Sequence, residues 1–465
     1  MEFASEGYLV IGMFVTFIAL LFTGFPVGWV LAGVGIIFAG VANLTDSFGW
    51  TMTGLDYLTL NMLVGRIFGI MDNWVLIAIP MFIFMGLMLD KSGTAERMMS
   101  SMQKLFGRIR GGLSITVTLI GIILAASTGI IGASVVMLGL MSLPIMLKQE
   151  YDPPLALGTV AAAGCLGILI PPSIMLVIMG DQLAVSVLDL FMGAVFPGLI
   201  LGVLYITYIL IYCNIFKDKA PLAKDHKPLG IKDVLQVALD IVPPAFLILA
   251  VLGSVFMGIT TVTEASGVGA LGAAVIALVF KRLNFKVLKD VVLNTMNVSA
   301  YIFAIFVGAT IFALVLRLCG GDEMIESVLT GMGFGPYGLI IFVVSVVFVL
   351  GFFLDWIEIS LIILPLLGPV IEGLPLGIEG YGVIDNPNLV WFALLVAVAL
   401  QTSFLTPPVG FAIFYLKGVA PAAVKLTQIY KGVVPFIVLQ LIGLTLIFLF
   451  PEIVTWLPAV AYGNR

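Results

Sequence analysis

Long apolar segments alternate with short polar ones along the whole chain. About ten of the apolar segments have the length of one helical membrane crossing, which takes roughly 20 predominantly apolar residues. Polar or charged residues separate them, so each is expected to form its own span. The predicted spanning helices are residues 8–23, 27–43, 74–90, 155–179, 190–213, 237–257, 262–280, 291–316, 388–416 and 433–456.

Two further apolar segments, residues 113–147 and 336–371, are too long for a single crossing. Each is interrupted near its centre, by STGIIGAS at 127–134 and by DWIE at 355–358. A polar turn inside a membrane is tolerated only where it is buried in protein or lines a cavity. Each segment is therefore predicted to be a helical hairpin with its tip inside the membrane, and we name them hairpin 1 and hairpin 2.

Lysine and arginine are concentrated in a few stretches, which mark the cytoplasmic side of a membrane protein. Both ends of hairpin 1 are basic, whereas both ends of hairpin 2 are acidic. The hairpins are thus predicted to be re-entrant from opposite faces, with their tips pointing at each other, and both chain termini are predicted to be periplasmic. All but three of the 21 basic residues lie at 91–110, Lys148, 217–232, 281–289 and 417–431.

The composition agrees with a polytopic membrane protein surrounded by lipid. Of 465 residues, 61% are hydrophobic and 10% are charged, whereas soluble domains carry about 25% charged residues. The net charge of −5 argues against a nucleic-acid partner. A single histidine, His226, and the lack of a P-loop motif argue against His-based catalysis and ATP hydrolysis. No nucleophile–base pair is apparent, so an enzyme is not expected.

Two apolar segments of similar sequence each contain two consecutive prolines. ILIPPSIMLVIM at 168–179 matches FLTPPVGFAIFY at 404–415, with Pro172 aligned to Pro408. Proline lacks a backbone N–H and breaks a helix, so each copy is predicted to be a broken membrane helix. Paired broken helices are typical of a transporter binding site at the membrane midplane. The alternative is that the prolines only kink each helix for packing.

The repeated order of segments and the opposite charges of the two hairpins predict two inverted repeats. The first repeat is residues 1–213 and the second is residues 237–465, joined by a cytoplasmic linker at 214–236. The segment 91–110 combines apolar and basic residues at helical spacing, which predicts an amphipathic helix on the cytoplasmic surface. The predicted fold is therefore all-α, with about ten transmembrane helices and two re-entrant hairpins.

Asp355 lies at the tip of hairpin 2. An acidic side chain at this depth is costly and marks a functional site by default, so we expect it to bind or orient a cation. The alternative, compatible with the first, is that it caps the returning helix. Glu358 follows three residues later, where it would complete a capping box.

Polar side chains near the hairpin tips, the Pro-Pro segments and the middle of span 291–316 are candidates for contacting the substrate. Close helix packing is the alternative for those in hairpin 1. A hydrogen bond to a neighbouring helix is the alternative for those in the span. The substrate candidates are Thr128, Ser134, Ser173, Asn297, Ser299 and Ser403.

The sequence resembles the large membrane subunit of the TRAP (tripartite ATP-independent periplasmic) transporters. The resemblance implies a Na⁺-driven symporter of elevator type in the bacterial inner membrane. It also implies two partners, a small four-helix membrane subunit and a periplasmic substrate-binding protein that delivers an organic acid. The matching motifs are IPMFIFMGLMLDKSG (79–93), GILIPPS (167–173), MGITTVTEASGVGALG (257–272), GFFLDWIEISLIILPLLGPVI (351–371) and TPPVG (406–410).

The resemblance also implies Na⁺ sites at the hairpin tips and broken helices. One site would use hairpin 1 with backbone of the first Pro-Pro segment, and the other would use hairpin 2 with the second. The residues implied are Ser127, Gly129, Cys165, Gly167 and Pro171 for the first site, and Asp355, Thr402 and Thr406 for the second. The tip sequence STGIIGAS departs from the Ser-Gly-Ser pattern expected of the family, and it favours a small 2-oxo acid or C4-dicarboxylate over sialic acid.

The predicted function is Na⁺-coupled uptake of a small carboxylate by a domain that slides across the membrane. One alternative is a stand-alone divalent-anion/Na⁺ symporter of the same architecture, which needs no binding protein. Another is a channel or a membrane subunit with a purely structural role. Transport by this chain alone would favour the first alternative, and uncoupled current would favour the second.

Overall fold

The computed structural model describes residues 6–56, 58–128, 131–222 and 230–463 of the chain. Every regular element in these ranges is helical, which confirms the predicted all-α architecture. Within them, nine helices are long and apolar enough to cross a membrane. The chain is therefore a polytopic helical membrane protein.

Helices follow one another in the same order in the two halves of the chain. In the first half they are α1 (Gly7–Leu21), α2 (Val27–Ser47), α3 (Met62–Met71), α4 (Ala78–Lys91), α5 (Thr94–Phe106), α6 (Gly112–Thr128), α7 (Ile131–Lys148), α8 (Pro153–Cys165), α9 (Ile174–Leu183) and α10 (Val187–Ile215). In the second half they are α11 (Ile231–Phe256), α12 (Val262–Val279), α13 (Phe285–Leu318), α14 (Gly321–Gly331), α15 (Pro336–Leu350), α16 (Trp356–Glu358), α17 (Leu364–Glu372), α18 (Pro387–Leu405), α19 (Phe411–Val419), α20 (Leu426–Leu449) and a last helix α21 (Glu452–Gly463). A π-helical turn, Ile359–Ile363, joins α16 to α17.

Both over-long apolar segments are split into two helices at the predicted interruption. Hairpin 1 consists of α6 and α7, and hairpin 2 consists of α15, α16 and α17 with the π-helical turn. The short helices α5 and α14 each follow a glycine in the left-handed conformation, Gly93 with φ +71° and Gly320 with φ +76°. Glycine adopts this conformation without steric cost, which permits the sharp turn before each short helix.

The same order of helices in both halves is consistent with the predicted repeats at residues 1–213 and 237–465. The division itself and the opposite orientation of the halves stay predictions, and residues 223–229 of the linker lie outside the described residues. The two halves differ at one place in the order of helices. The helix α13 is continuous over 34 residues, whereas the first half has α3 and α4 at the same place in the order.

By their main contacts the helices form two groups, which meet directly where α4 also contacts α6 and α9. In the first group, α2 packs along α13, α4 packs along α12, α1 contacts α2 and α11 contacts α12. In the second group, α8 packs against α6, α7 and α20, and α18 packs against α10, α15 and α20. The helix α18 is buried along almost its whole length, and its Trp391 Nε1 donates a hydrogen bond of 2.9 Å to the carbonyl of Ile447. The hairpins and broken helices therefore share one packed core.

The amphipathic segment predicted at 91–110 forms α5, which joins the two groups. Its Ser101 hydroxyl donates a hydrogen bond to the buried carboxylate of Asp240 on α11. The guanidinium of Arg97 lies 4.4 Å above the ring of Phe280, a cation–π contact. The same helix contacts α6. The connector is thus fixed to the first group and reaches the second through hairpin 1.

The last predicted span, 433–456, is wrong in its extent. The helix α20 ends at Leu449, and Pro451 separates it from α21, because proline has no N–H to continue the helical ladder. The helix α21 contacts α10, and the Tyr462 hydroxyl donates a hydrogen bond of 2.7 Å to Asp189. The C-terminal helix is therefore anchored to the second group.

Candidate functional site

The first broken helix consists of α8 and α9. Between them lies break 1, residues 166–173, which begins with a short 3₁₀ turn and contains the Pro-Pro pair. The hydroxyl of Ser173 donates a hydrogen bond to the carbonyl of Ile168. Cys165, Gly167 and Pro171, the predicted backbone ligands, are all buried. Break 1 therefore presents main-chain carbonyls in a place that water does not reach freely.

The second broken helix consists of α18 and α19, separated by break 2, residues 406–410. The Thr402 hydroxyl donates a 2.7 Å hydrogen bond to the Val398 carbonyl, and the Thr406 hydroxyl donates one of 2.7 Å to the Thr402 carbonyl. Each hydroxyl oxygen keeps its lone pairs, since only its proton is used. Both threonines therefore keep acceptor oxygens for a cation, and the ligand role that the family resemblance implies for them stays a prediction.

Break 2 contains a hydrogen bond that the sequence did not reveal. The hydroxyl of Tyr430 on α20 donates a bond of 3.1 Å to the carbonyl of Pro408. Ser403, a predicted substrate ligand, is fully buried and donates its hydroxyl proton to the Leu400 carbonyl at 2.8 Å. Pro408 is exposed, whereas the Pro-Pro pair of break 1 is buried. Break 2 is thus the more accessible of the two.

The tip of hairpin 2 carries two carboxylates. Asp355 caps the returning helix, because its Oδ1 accepts a hydrogen bond of 2.8 Å from the Trp356 N–H. The capping interpretation of Asp355 is confirmed. Glu358 is 2% exposed, and its Oε2 has no hydrogen-bond partner among the described residues. An ionised carboxylate buried in this way needs a nearby cation or a proton.

The tip of hairpin 1 is described only in part. The helix α6 ends at Thr128 and α7 begins at Ile131. Gly129 lies outside the described residues, as do the side chains of Ser127 and Thr128, so their predicted ligand roles stay predictions. Ser134 is buried in the first turn of α7.

Each hairpin packs closely on the first helix of a broken pair at a glycine. A Cβ on Gly164 of α8 would lie 2.5 Å from a side-chain carbon of Val135 and 3.0 Å from its Cα. A Cβ on Gly351, at the turn of hairpin 2, would lie 2.2 Å from Ser403 Oγ on α18. Only residues without a side chain fit at such contacts. Hairpin 1 is thus seated beside break 1, and hairpin 2 beside break 2.

Each hairpin also contacts the second helix of the other broken pair. In hairpin 1, Gly132 faces the ring of Tyr415 on α19, with 2.9 Å between the position of a Cβ and Tyr415 Cζ. Hairpin 2 contacts α9 through α17 and the π-helical turn. Asp355 acts electrostatically on both Tyr415 and Tyr301 of α13. The two hairpins and two broken helices therefore meet in one site.

The helix α13 lines this site from the first group of helices. It contacts α16 and the π-helical turn of hairpin 2. The predicted substrate ligand Asn297 lies one helical turn before Tyr301, on the same face, and it is exposed. Ser299 is 9% exposed, and its hydroxyl has no partner among the described residues. Asn297 is therefore the better placed of the two to meet a ligand beside hairpin 2.

Three buried polar side chains stand next to break 1 and break 2, and the sequence did not reveal that they lie together. Tyr205 of α10, Gln401 of α18 and Gln440 of α20 are each completely buried. The Tyr205 hydroxyl lies beside both amides and close to Cys165, yet none of the three forms a well-aligned side-chain hydrogen bond in the described part of the chain. They come from three distant helices, so no local pattern could have grouped them.

The ends of the broken helices give the site its electrostatic character. The last turns of α8 and α18 carry partial negative charge, and the first turns of α9 and α19 carry partial positive charge. Free carbonyls and carboxylates suit a cation, while helix N-termini suit an anion. The arrangement can therefore hold a cation and a carboxylate side by side.

Broken membrane helices that meet helical hairpins define the class of secondary transporters. The sequence profile of "Tripartite ATP-independent periplasmic transporter, DctM component" matches residues 14–453. The chain belongs to this family, and it is accordingly a multi-pass membrane subunit of a transporter and not an enzyme.

Individual proteins agree with this assignment. The sialic acid TRAP transporter large permease protein SiaM of Vibrio cholerae is 26% identical over 454 residues, which cover 97% of this chain and 99% of the relative. The C4-dicarboxylate TRAP transporter large permease protein DctM of Pseudomonas aeruginosa is 26% identical over 397 residues, which cover 85% of this chain and 87% of the relative. The crystal structure of the Alcanivorax borkumensis YdaH transporter matches with a TM-score of 0.58 at 12% identity and covers 86% of this chain and 90% of that one. The YdaH likeness shows the fold alone.

Proposed function

We propose that this chain is the large permease of a Na⁺-coupled symporter that takes up a small organic acid across the bacterial inner membrane. The observation that carries the proposal is the meeting of both hairpins with both broken helices at one site. An acidic tip, the main-chain carbonyls of the two breaks and helix N-termini meet there, and these groups are complementary to a cation and a carboxylate.

The first part of the proposal is the ion. Asp355, Thr402 and Thr406 bind one Na⁺ between hairpin 2 and break 2, and the tip of hairpin 1 with the carbonyls of break 1 binds another. Carboxylate, hydroxyl and carbonyl oxygens are the ligands that hard cations prefer. Na⁺ offsets the charge of the acidic tip, which leaves the positive N-termini of α9 and α19 for the carboxylate of the substrate.

The second part is the movement. The hairpins and broken helices form one packed group, while α1, α2, α11 and α12 belong to the other. We propose that the second group, which contains the hairpins and broken helices, slides across the membrane as an elevator and carries ions and substrate together. The amphipathic connectors α5 and α14 link the two groups.

The third part is the partners and the substrate. Tripartite transporters are named for three components, so this chain is expected to work with a small four-helix membrane subunit and a periplasmic binding protein. Exposed apolar side chains on α2, including Trp29 at 77% exposure, offer the small subunit a surface within the membrane. The names of the relatives mention sialic acid and C4-dicarboxylates, which are carboxylates, and the tip of hairpin 1 favours a small one.

The test is uptake of a panel of radiolabelled organic acids into proteoliposomes. The chain is reconstituted with its small subunit, with and without the binding protein and an inward Na⁺ gradient. The proposal expects uptake of one carboxylate only when both are present. Uptake that does not depend on the binding protein would place the chain with stand-alone symporters. Uptake that does not depend on the Na⁺ gradient would overturn the proposed Na⁺ coupling.

A further inference from the structure

A 3₁₀ turn, Trp74–Ile77, leads into α4 and is fixed to the first group of helices. The hydroxyl of Thr263 on α12 donates a hydrogen bond of 2.9 Å to the carbonyl of Trp74. Asn73 caps the turn, because its Oδ1 accepts the Val75 N–H at 3.0 Å. The oxygen of the Asn73 amide is therefore engaged within the first group, and its nitrogen is left for another partner.

That partner is Asp181, which lies near the end of α9. Asn73 Nδ2 donates a hydrogen bond to Asp181 Oδ1, although the two residues are 108 positions apart in the sequence. The other carboxylate oxygen, Asp181 Oδ2, accepts a bond of 2.8 Å from the amide of Gln182. Asp181 is partly buried, so these two amides replace hydrogen bonds that water would otherwise supply.

The helix α9 belongs to the second group. It packs against α10, α17, α18 and the π-helical turn of hairpin 2. A Cβ on Gly368 of α17 would lie 3.2 Å from Leu183 Cδ2 on α9, which is a tight contact. The hydrogen bond between Asn73 and Asp181 therefore joins the two groups, at the place where α4 and the turn before it contact α9.

Sliding of the second group must break this hydrogen bond. A hydrogen bond is lost once its donor and acceptor are more than about 3.5 Å apart, and each partner here is fixed to its own group. A bond to a carboxylate is about twice as strong as one between neutral groups. The bond stabilises only the observed position of the second group, so it opposes the movement.

We propose that Asn73 and Asp181 form a latch that holds the second group in its observed position. The latch rests on the proposed sliding of this group, and it does not depend on which ion or acid is carried. Loss of a hydrogen bond to a charged group shifts an equilibrium between two positions about tenfold or more. The latch therefore sets the fraction of resting transporters in which the second group occupies the observed position.

Exchange of the two partners provides the test. Asn73→Asp keeps an oxygen that caps the turn but places a second carboxylate against Asp181, which breaks the latch. Asp181→Asn keeps an acceptor for the Asn73 amide but removes its charge, which weakens the latch. In the double variant Asn73→Asp/Asp181→Asn, the amide introduced at position 181 donates to the carboxylate introduced at position 73. The double variant therefore restores the latch, which a sum of two independent effects would not do.

The measurement is the distance distribution between two spin labels, recorded by double electron–electron resonance without Na⁺ or substrate. The chain is reconstituted with its small subunit in lipid nanodiscs. Labels are attached to Val268→Cys on α12 and Val203→Cys on α10, whose native side chains are 56% and 61% exposed, whereas the three native cysteines are buried. Asn73→Asp is expected to raise the ratio of displaced to observed positions at least tenfold, and Asp181→Asn to raise it less. The double variant should return to within about threefold of the wild-type ratio.

Asn388→Ala is the matched control. Asn388 Nδ2 donates a hydrogen bond of 2.9 Å to the carbonyl of Leu374 inside the second group, so its loss should leave the ratio unchanged. Asp181→Ala removes the acceptor and leaves the cap of the turn in place, and it should give the same shift if Asn73→Asp does not fold. Equal ratios in the wild type and the latch variants would overturn the latch, as would a double variant that shifts as far as Asn73→Asp.

Uptake of the radiolabelled acids is measured on the same proteins in proteoliposomes, so that two failures can be told apart. Na⁺-driven uptake by the wild type, together with equal ratios, would overturn the latch and leave the transport function standing. Absence of Na⁺-driven uptake by the wild type would overturn the proposed function, whatever the ratios are.

Discussion

Asp355→Asn separates the two roles that Asp355 combines at the tip of hairpin 2. The side chain caps a helix through its Oδ1, which accepts the Trp356 N–H at 2.8 Å. Asparagine keeps this oxygen and is as good a helix cap as aspartate. It removes the negative charge. The variant therefore reports what the charge does while leaving the cap in place.

The expected size follows from the loss of a charged ligand. Interactions with a charged group contribute about 1.5–3 kcal/mol, compared with about 1 kcal/mol for neutral hydrogen bonds. Loss of this difference, about 0.5–2 kcal/mol, weakens Na⁺ binding roughly 2- to 30-fold. The assay is the Na⁺ concentration that gives half-maximal uptake, measured in proteoliposomes. Na⁺-induced thermal stabilisation should weaken in parallel, since bound ligand stabilises the folded state.

The control is another helix cap that lies away from the site. Asn284 caps α13, with its Oδ1 accepting the Val287 N–H at 2.9 Å. Asn284→Ala should cost about 1 kcal/mol of stability and leave the Na⁺ requirement unchanged. If Asp355→Asn also leaves the Na⁺ requirement unchanged, Asp355 is only a cap and the proposed ion site loses its charge.

Three more predictions concern the contacts around the breaks. Gly164→Ala should lower the unfolding midpoint, because overpacking against hairpin 1 costs about 1–3 kcal/mol. Gly418→Ala is the control, because nothing lies within 4 Å of the position of its Cβ, and it should leave the unfolding midpoint unchanged. Equal unfolding midpoints for Gly164→Ala and Gly418→Ala would refute the close contact. Tyr430→Phe should cost about 0.5–1.5 kcal/mol by removing a hydrogen bond to break 2, and an unchanged midpoint would deny that bond a role. Gln401→Leu and Gln440→Leu should each leave the unfolding midpoint unchanged or raise it, because each replaces a fully buried amide that has no hydrogen-bond partner among the described residues; a lowered midpoint would show that the amide is hydrogen-bonded.

The elements that the sequence predicts well are those set by local chemistry. Both predicted breaks fall at the two matching Pro-Pro segments, whereas Pro243 and Pro244 lie inside the continuous helix α11, so the flanking sequence matters as well as the prolines. The interruptions at the hairpin tips follow from polar residues inside apolar segments. The connector α5 follows from its two-sided pattern, with Met98 and Met102 buried and Arg97 facing Phe280.

The elements that the sequence did not predict depend on contacts between distant segments. Nothing around Gly132 indicates that Tyr415 will cover it. Asn73 caps the 3₁₀ turn Trp74–Ile77 that leads into α4: its Oδ1 accepts the Val75 N–H at 3.0 Å, and its amide donates to Asp181, 108 residues away. Residue type alone gives no distance between such partners, so only the fold reveals the site that they build.

The most direct test of the central claim is simultaneous measurement of ²²Na⁺ and labelled substrate entry in the same proteoliposomes. The chain is reconstituted with its small subunit and binding protein, and both fluxes are followed under one imposed Na⁺ gradient. Two Na⁺ sites predict substrate-dependent ²²Na⁺ entry at a fixed ratio of about two or more ions per substrate. Substrate entry without accompanying ²²Na⁺, or ²²Na⁺ entry that does not depend on substrate, would contradict the coupled site between the hairpins and the broken helices.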